Sequence, residues 1–402
     1  MVSNRASSIV RRGHQHFSTM MWNVPRKTKK MKPTRRSKKP FRLAMLTGGG
    51  DCPGLNAVIR AAARSAFALG WEVWGIEDGF EGLLRKRAHQ LHPRDVRGII
   101  HLGGTILGTS NRVSPFRVDR RGKPGGKAED ADRSAEVVRN FKAMGFNALI
   151  AIGGDGTLSI ALRLAAKGIP VVGVPKTIDN DIEQTSVTFG FDTAVATATD
   201  AIDKLHPTAE AHGRVMVVEL MGRNAGFIAL NSGVAGGADV ILIPEIPFDL
   251  ERVCDKIRER EKGRRGGYFS IVVVAEGARS RGGQLHLRSI DKGEAPRLGG
   301  VGQWVAEEIA KRTGKETRCL VLGHLQRGGP PTTFDRLLGT RFGAAAVRAV
   351  ADGDFETMVA LQPPTIVRVP LKVAVGDGRT KSVPLDSDVM MSARGLGISF
   401  GD

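Results

Sequence analysis

From Phe41 onward one unit recurs: a short, predominantly apolar run, a glycine-rich turn, then an amphipathic stretch of helical period. The apolar runs are FRLAML (41–46), ALIAI (148–152), IPVVGV (169–174), RVMVVEL (214–220), ADVILI (238–243), FSIVVVA (269–275) and CLVLG (319–323). They lack the polar alternation of a strand with one wet face, so both faces must be covered. That condition is met by parallel sheets with helices packed on either side. Helical spacing falls on 55–69, 131–144, 192–205, 250–263, 301–313 and 335–351. A chain of 402 residues is too long for one small core. The expected fold is therefore α/β, with two Rossmann-like domains of largely parallel sheets and an active site in the cleft between them.

In such sheets ligands collect beyond the carboxyl ends of the strands. Three strands end in unusual loops: TGGGDCPGLN (47–56), GGDGTL (153–158) and PKTIDNDI (175–182). A fourth, GGTILGTSN (103–111), follows a less marked strand. Glycines such as Gly49, Gly50, Gly154 and Gly156 let backbone N–H groups approach a ligand, and the helix that follows turns its positive end toward an anion. One such loop is ordinary turn chemistry; three after parallel strands point to a polyphosphate.

Charge separates the body from its N-terminus. Thirteen of the net +19 positive charges lie in residues 1–42, which contain no acid, leaving +6 for the rest. Residues 1–40 therefore read as a basic, disordered extension. Its Arg and Ser content is shared with organelle transit peptides, but it has no long apolar segment of a secretory signal. A single Tyr in the whole chain leaves little for base stacking, so specific nucleic-acid binding is not expected. No stretch has the length and apolarity of a membrane span. Three cysteines, none in a CxxC pair, suit a reducing, cytoplasmic setting.

The carboxylates refine the ligand. Asp155, set between glycines at a strand end, can reach a magnesium ion on phosphate oxygens or can cap the helix that starts near Thr157. Asp179 and Asp181 alternate on what reads as an extended segment, so that one can face an acceptor hydroxyl and the other a cation or backbone group. Thr177 can bond a phosphate or the nucleophile. Phosphoryl transfer needs this set: groups that position, neutralise charge and accept a proton.

Together GGGDCPGLN, GGTILGTS, GGDGTL, PKTIDND, VVELMGR and VLGHLQRGG resemble the phosphofructokinases, in the family's order, over residue 41 to the end. GGDGT also occurs in NAD and lipid kinases; the other five do not. The resemblance implies transfer of a phosphoryl group to the 1-hydroxyl of fructose 6-phosphate, in glycolysis. It implies Asp179 as general base, Asp155 as the Mg2+ ligand, Arg223 as stabiliser of the transferring group, and Thr177 and Asp181 completing the acceptor site. Met221, Gly222 and Glu276 are expected to line the sugar pocket. Arg214, Arg318, His324 and Arg327 are expected at the sugar 6-phosphate, with Arg214 and Arg318 reaching from a neighbouring subunit. A homo-oligomer, tetramer or dimer, with shared active sites follows. The expected division is a donor domain, 41–180 plus a segment returning near 300–350, and a sugar-phosphate domain, 181–300 plus C-terminal segments.

The family uses ATP or pyrophosphate as donor. Gly156 leaves space beside Asp155 for the α-phosphate and nucleoside, where pyrophosphate users usually carry Asp; Lys176 is the lysine those enzymes share. ATP with Mg2+ is the expected donor and pyrophosphate the alternative, since a missing steric block is needed for nucleotide entry whereas Lys176 assists either. Gly49, Gly50, Gly154, Gly156, Thr157, Lys176 and Arg112 make up the expected donor site. Where many ATP enzymes have arginine after LGSA, this chain has Asn111, with Arg112 one position later. A scaffold that has lost activity is the rival reading, and retention of Asp155, Asp179 and Arg223 speaks against it.

Overall fold

A computed structural model describes residues 40–111, 113–116, 132–262, 269–283, 287–289, 297–378 and 380–402; the extension before Pro40 and Arg112 lie outside the described residues. The strands are β1 (Arg42–Thr47), β2 (Glu72–Ile76), β3 (Ala88–Leu91), β4 (Ala148–Gly153), β5 (Val171–Thr177), β6 (Phe189–Gly190), β7 (Val215–Leu220), β8 (Val240–Leu242), β9 (Ser270–Ala275), β10 (Leu287–Ser289), β11 (Arg297–Leu298), β12 (Thr317–Val321), β13 (Thr357–Gln362) and β14 (Thr365–Pro370). The helices are α1 (Leu55–Ala68), α2 (Phe80–Arg85), α3 (Ser134–Ala143), α4 (Asp155–Ala165), α5 (Phe191–His212), α6 (Phe227–Ala235), α7 (Leu250–Glu261), α8 (Val301–Thr313), α9 (Thr333–Asp352), α10 (Leu371–Val375) and α11 (Asp388–Gly395), with a 3-10 turn at Gly323–Arg327.

Two main sheets result. The first runs β14-β13-β5-β4-β1-β2-β3 with β6 beside β5; the second runs β12-β7-β9-β8, and β10 pairs with β11. The second is parallel throughout, and the first is parallel except where β3 and β14 close its edges antiparallel. Residues 301–321 add α8 and β12 to the second sheet, and the chain returns to the first through 333–370.

Two-sided coverage is visible residue by residue. Leu43 and Met45 of β1 face a central core while Ala44 and Leu46 face an outer one. Met216 and Val218 of β7 join that same central core, and Val215 and Val217 face the opposite outer layer. Ile59 of α1, Ile202 of α5, Ile228 of α6 and Phe342 of α9 fill the space between the sheets. Each such side chain contributes roughly 1.5–3 kcal/mol, so burial on both faces fixes the sheets more firmly than strand propensity does.

All seven expected strands and six expected helices exist, with shifted ends. The apolar run CLVLG ends its strand at Val321, because Gly323 opens the 3-10 turn. Helix α5 passes through Pro207 to His212, although a proline costs an interior helix about 3 kcal/mol; buried Ala209 beyond it anchors the last turn. The GGTILGTSN loop does not follow a strand directly, since residues 92–102 are turns and coil after β3. Among the described residues no helix is long and apolar enough to cross a membrane, and no disulfide joins Cys52, Cys254 or Cys319.

Candidate active site

The expected loops converge. Gly49, Gly50, Gly154, Asp155, Gly156 and Thr157 line one cleft of about 350 Å3. Lys176, Thr177, Asp179, Asp181 and Arg327 line it too, beside Ser110 and Asn111.

Side-chain clasps hold the loops. A Cβ on Gly48 would lie 2.7 Å from Thr157 Oγ1, and one on Gly153 would overlap the Thr157 side chain. Glycine at both positions lets the β1 and β4 loops close on a buried threonine. Asn56, at the start of α1, donates from Nδ2 to the carbonyls of Leu102 and Gly103 at 3.1 Å and accepts at Oδ1 from Ile106 N–H at 2.9 Å. Thr47 Oγ1 donates to Gly108 O at 2.6 Å, and Thr109 Oγ1 donates to Gly49 O at 2.6 Å. Asn56 was not singled out by sequence; its only signal is a polar residue inside the first, otherwise buried, turn of α1.

Helix α4 begins at Asp155, with Gly154 as the cap residue and no side-chain cap bond. The capping alternative for Asp155 is thereby removed, and its carboxylate faces the cleft. Nothing lies within 4 Å of a Cβ on Gly156. That position is open space.

The PKTIDND segment differs from expectation in one respect. Strand β5 ends at Thr177, and Asn180 takes a left-handed backbone (φ 55°), so the chain turns instead of extending. Both Asp179 and Asp181 therefore line the same cleft. Thr177 Oγ1 accepts from Asp179 N–H at 3.0 Å and bonds the Asp181 carboxylate, tying the two together. Burial, opposed by the Arg327 guanidinium and reinforced by Glu276 and Asp155, pushes Asp179 up to about 6. Burial and the neighbouring Asp179 and Asp155 push Asp181 up to about 7. Asp179 Oδ1 is shut off from solvent with no protein partner.

Two cations answer these carboxylates. Lys176 is buried, which lowers its pKa, and Nζ donates to Gly50 O. Arg327 donates from Nη1 to Asp51 O at 3.1 Å. Cys52, in the same loop, is no nucleophile: burial raises its thiol to about 12.

The remaining expected residues stand outside the cleft lining. Met221 N–H donates to Gln326 Oε1 at 2.8 Å, Glu276 N–H bonds Leu220 O, and Gly277 N–H bonds Gly222 O, so the MGR and AEG loops interlock at the end of the second sheet. Burial raises the Glu276 carboxyl, with Arg223 and Arg327 pulling the other way. Arg223 and His324 are exposed. Arg214 and Arg318 meet at the β7–β12 edge, where both pair with Glu316, at 2.9 and 2.5 Å.

A Mg2+ ion fits this donor set. No group of three or more His, Cys, Asp and Glu forms a ligand cage among the described residues. Mg2+ needs none, because it keeps several waters and takes one or two carboxylates plus substrate phosphates. Asp155 lines the cleft, and Asp179 Oδ1 is buried there with no protein partner.

Comparison with known proteins agrees with the geometry. The phosphofructokinase family model matches residues 42–350. The chain is 54% identical over 368 residues to the ATP-dependent 6-phosphofructokinase of Chloroflexus aurantiacus, covering 90% of this chain and 99% of that one. It is 50% identical over 365 residues to the pyrophosphate–fructose 6-phosphate 1-phosphotransferase of Streptomyces coelicolor, covering 90% and 100%. A crystal structure of Pichia pastoris phosphofructokinase in the T-state superposes with a TM-score of 0.72 at 30% identity, over 91% of this chain and 38% of that longer one. With six ordered motifs gathered at two sheet ends and a family match over most of its length, the chain belongs to the phosphofructokinase family.

Proposed function

We propose that the protein is a 6-phosphofructokinase that transfers the terminal phosphoryl group of ATP to the 1-hydroxyl of fructose 6-phosphate, giving fructose 1,6-bisphosphate and ADP. The observation that carries this reading is the single cleft in which glycine-rich phosphate loops, Asp155 and the Asp179–Asp181 turn face one another.

Asp179 takes the proton of the attacking hydroxyl as the new P–O bond forms and the bond to the leaving ADP oxygen breaks. Its raised pKa suits that task, because a base works best when its pKa lies near the operating pH. Asp155 would hold a bound Mg2+, which would supply neutralising charge for the donor phosphates. Lys176 adds a point charge beneath the glycine loop, and Arg223 stabilises the group in transfer. Met221, Gly222 and Glu276 receive the sugar. His324, Arg327 and, from a neighbouring copy in a homo-oligomer, Arg214 and Arg318 receive its 6-phosphate. Arg214 and Arg318 lie outside the cleft lining and pair with Glu316, which is compatible with their serving a neighbouring copy. The first sheet is read as the donor half and the second as the sugar half, and cysteines not joined by a disulfide suit a cytoplasmic setting.

Pyrophosphate is the second reading for the donor, favoured by Lys176 and by relatives of similar identity that carry that name. Fructose 1,6-bisphosphate formation, followed in parallel with ATP and with pyrophosphate, decides. Product with ATP alone is expected. Product with pyrophosphate alone overturns the donor assignment, and product with neither overturns the kinase reading.

A further inference from the structure

One lysine far along the chain is committed to the turn that carries Asp179. Lys381, in the segment after α10, donates from Nζ to Asn180 Oδ1 at 3.3 Å, Thr185 O at 3.0 Å and Ser186 O at 3.2 Å. Its backbone N–H donates to Asp181 O at 2.8 Å. All four bonds land on residues 180–186. Asn180 sits at φ 55°, a left-handed backbone that Asn tolerates better than most non-glycine residues and that these bonds help to hold. Its Oδ1 also accepts from Thr188 N–H at 3.1 Å.

The same segment reaches the other sheet. Val383 N–H donates to Glu245 Oε1 at 2.8 Å, and that carboxylate accepts from Gly226 N–H at 3.0 Å. The Lys381 ammonium also lies 5.2 Å from the Phe227 ring centroid. Gly226 and Phe227 close the loop that begins with Arg223. Residues 381–383 thus join the Asp179 turn, at the end of β5, to the Arg223 loop, at the end of β7. Lys381 does not line the cleft, and its ammonium is taken up by Asn180, Thr185 and Ser186. Burial lowers its pKa to about 8 against the pull of Glu183 and Asp181, a cost that a mere surface tether would avoid.

We propose that Lys381 is a positioning residue for phosphoryl transfer: it fixes the turn that aims Asp179 and registers that turn against the Arg223 loop. The inference rests on Asp179 being the base. Full-length Lys381→Met, Lys381→Arg and Asp179→Asn enzymes are compared with wild type by steady-state kinetics and thermal melting. Displacing a reacting group by about 1 Å costs on the order of 100-fold, so Lys381→Met is expected to lower kcat roughly 10- to 100-fold with KM for ATP within about twofold. Lys381→Arg, which keeps a cation with several donors, is expected to return kcat to within about threefold of wild type.

A Lys381→Met enzyme with wild-type kcat overturns the proposal. So does an equal loss of kcat and melting temperature in both lysine variants, because packing alone then accounts for it. Should Lys381→Met give no cooperative melt, Lys381→Arg decides: near-normal kcat supports positioning, and a loss beyond about tenfold overturns it. Substantial activity in Asp179→Asn removes the base reading and this proposal with it, whereas a dead Asp179→Asn beside an unaffected Lys381→Met overturns positioning alone.

Discussion

Replacing Asp179 by Asn is expected to abolish activity and stabilise the protein, and the second effect can be sized from the structure. Burial, with Glu276 and Asp155 nearby, raises the Asp179 carboxyl from 3.8 to about 6 despite Arg327 and Lys176. A carboxyl whose pKa is higher folded than unfolded binds more protons in the folded state between those two values. Unfolding free energy therefore falls as pH rises from about 4 to about 6 and stays reduced above. Each pKa unit is worth 1.36 kcal/mol, so the charged Asp179 costs at most about 3 kcal/mol at pH 8. A neutral isostere removes that cost. For a chain of 402 residues each kcal/mol moves the melting midpoint by roughly 1 °C, so Asp179→Asn should melt up to about 4 °C higher than wild type at pH 8. The gain should be mostly lost near pH 4, where wild-type Asp179 is protonated in the folded state and about half protonated in the unfolded chain. Loss of a general base lowers kcat by about 100- to 10,000-fold. Scanning calorimetry at the two pH values and a coupled fructose 1,6-bisphosphate assay read both quantities. A variant destabilised equally at pH 8 and pH 4, or one retaining a tenth of kcat, refutes the assignment of a desolvated base.

Other consequences follow from the same geometry. A Cβ on Gly156 meets no atom within 4 Å, so Gly156→Asp should fold normally; a carboxylate added beside Asp155 opposes the α-phosphate by several kcal/mol, so kcat/KM for ATP should drop by about 100-fold or more while pyrophosphate use is spared, and unchanged ATP use would sink the steric account. The pH profile of kcat/KM for fructose 6-phosphate should fall below about pH 6 as Asp179 protonates; a profile flat down to pH 5 contradicts its role. Asn56→Ala removes three bonds to the 102–106 loop, each worth about 1 kcal/mol, and should lower stability by roughly 2–3 kcal/mol in urea titration while raising KM for ATP.

The layers of the fold were legible because they depend on burial, and burial writes itself into sequence as uninterrupted apolar runs. Strands that are not buried throughout were not: EVWGI of β2 mixes half-buried with buried positions and TIVRVP of β14 adds exposed ones, and a sequence scan for continuous runs passes over them. Within the site, residues that act through side-chain type and strand-end position, such as Asp155 and Lys176, were legible. Residues that act by long-range bonds were not. Asn56 and Lys381 look like any polar loop residue until the partners, 50 and some 200 positions away, are brought to them. The turn at Asn180 misled for a related reason: alternation of Asp179 and Asp181 reads as strand, whereas a left-handed Asn180, bonded by Thr188 and Lys381, turns the chain so that both aspartates line one cleft.

The mixed donor signature also looks different once the two residues are located. Lys176 lies buried on β5, and its ammonium bonds the Gly50 carbonyl, under the loop that cradles phosphate. A buried lysine needs such a partner whatever the donor, because an unpaired desolvated cation costs several kcal/mol. It therefore supports the loop common to both chemistries and discriminates weakly between them. Gly156 sits at the cleft wall with nothing facing its missing Cβ. A side chain there changes what fits beyond the metal carboxylate without disturbing the scaffold. Of the two positions, 156 alone can exclude a nucleotide, through the bulk and charge of a side chain placed there, so the choice between ATP and pyrophosphate should follow position 156 and survive substitution of Lys176.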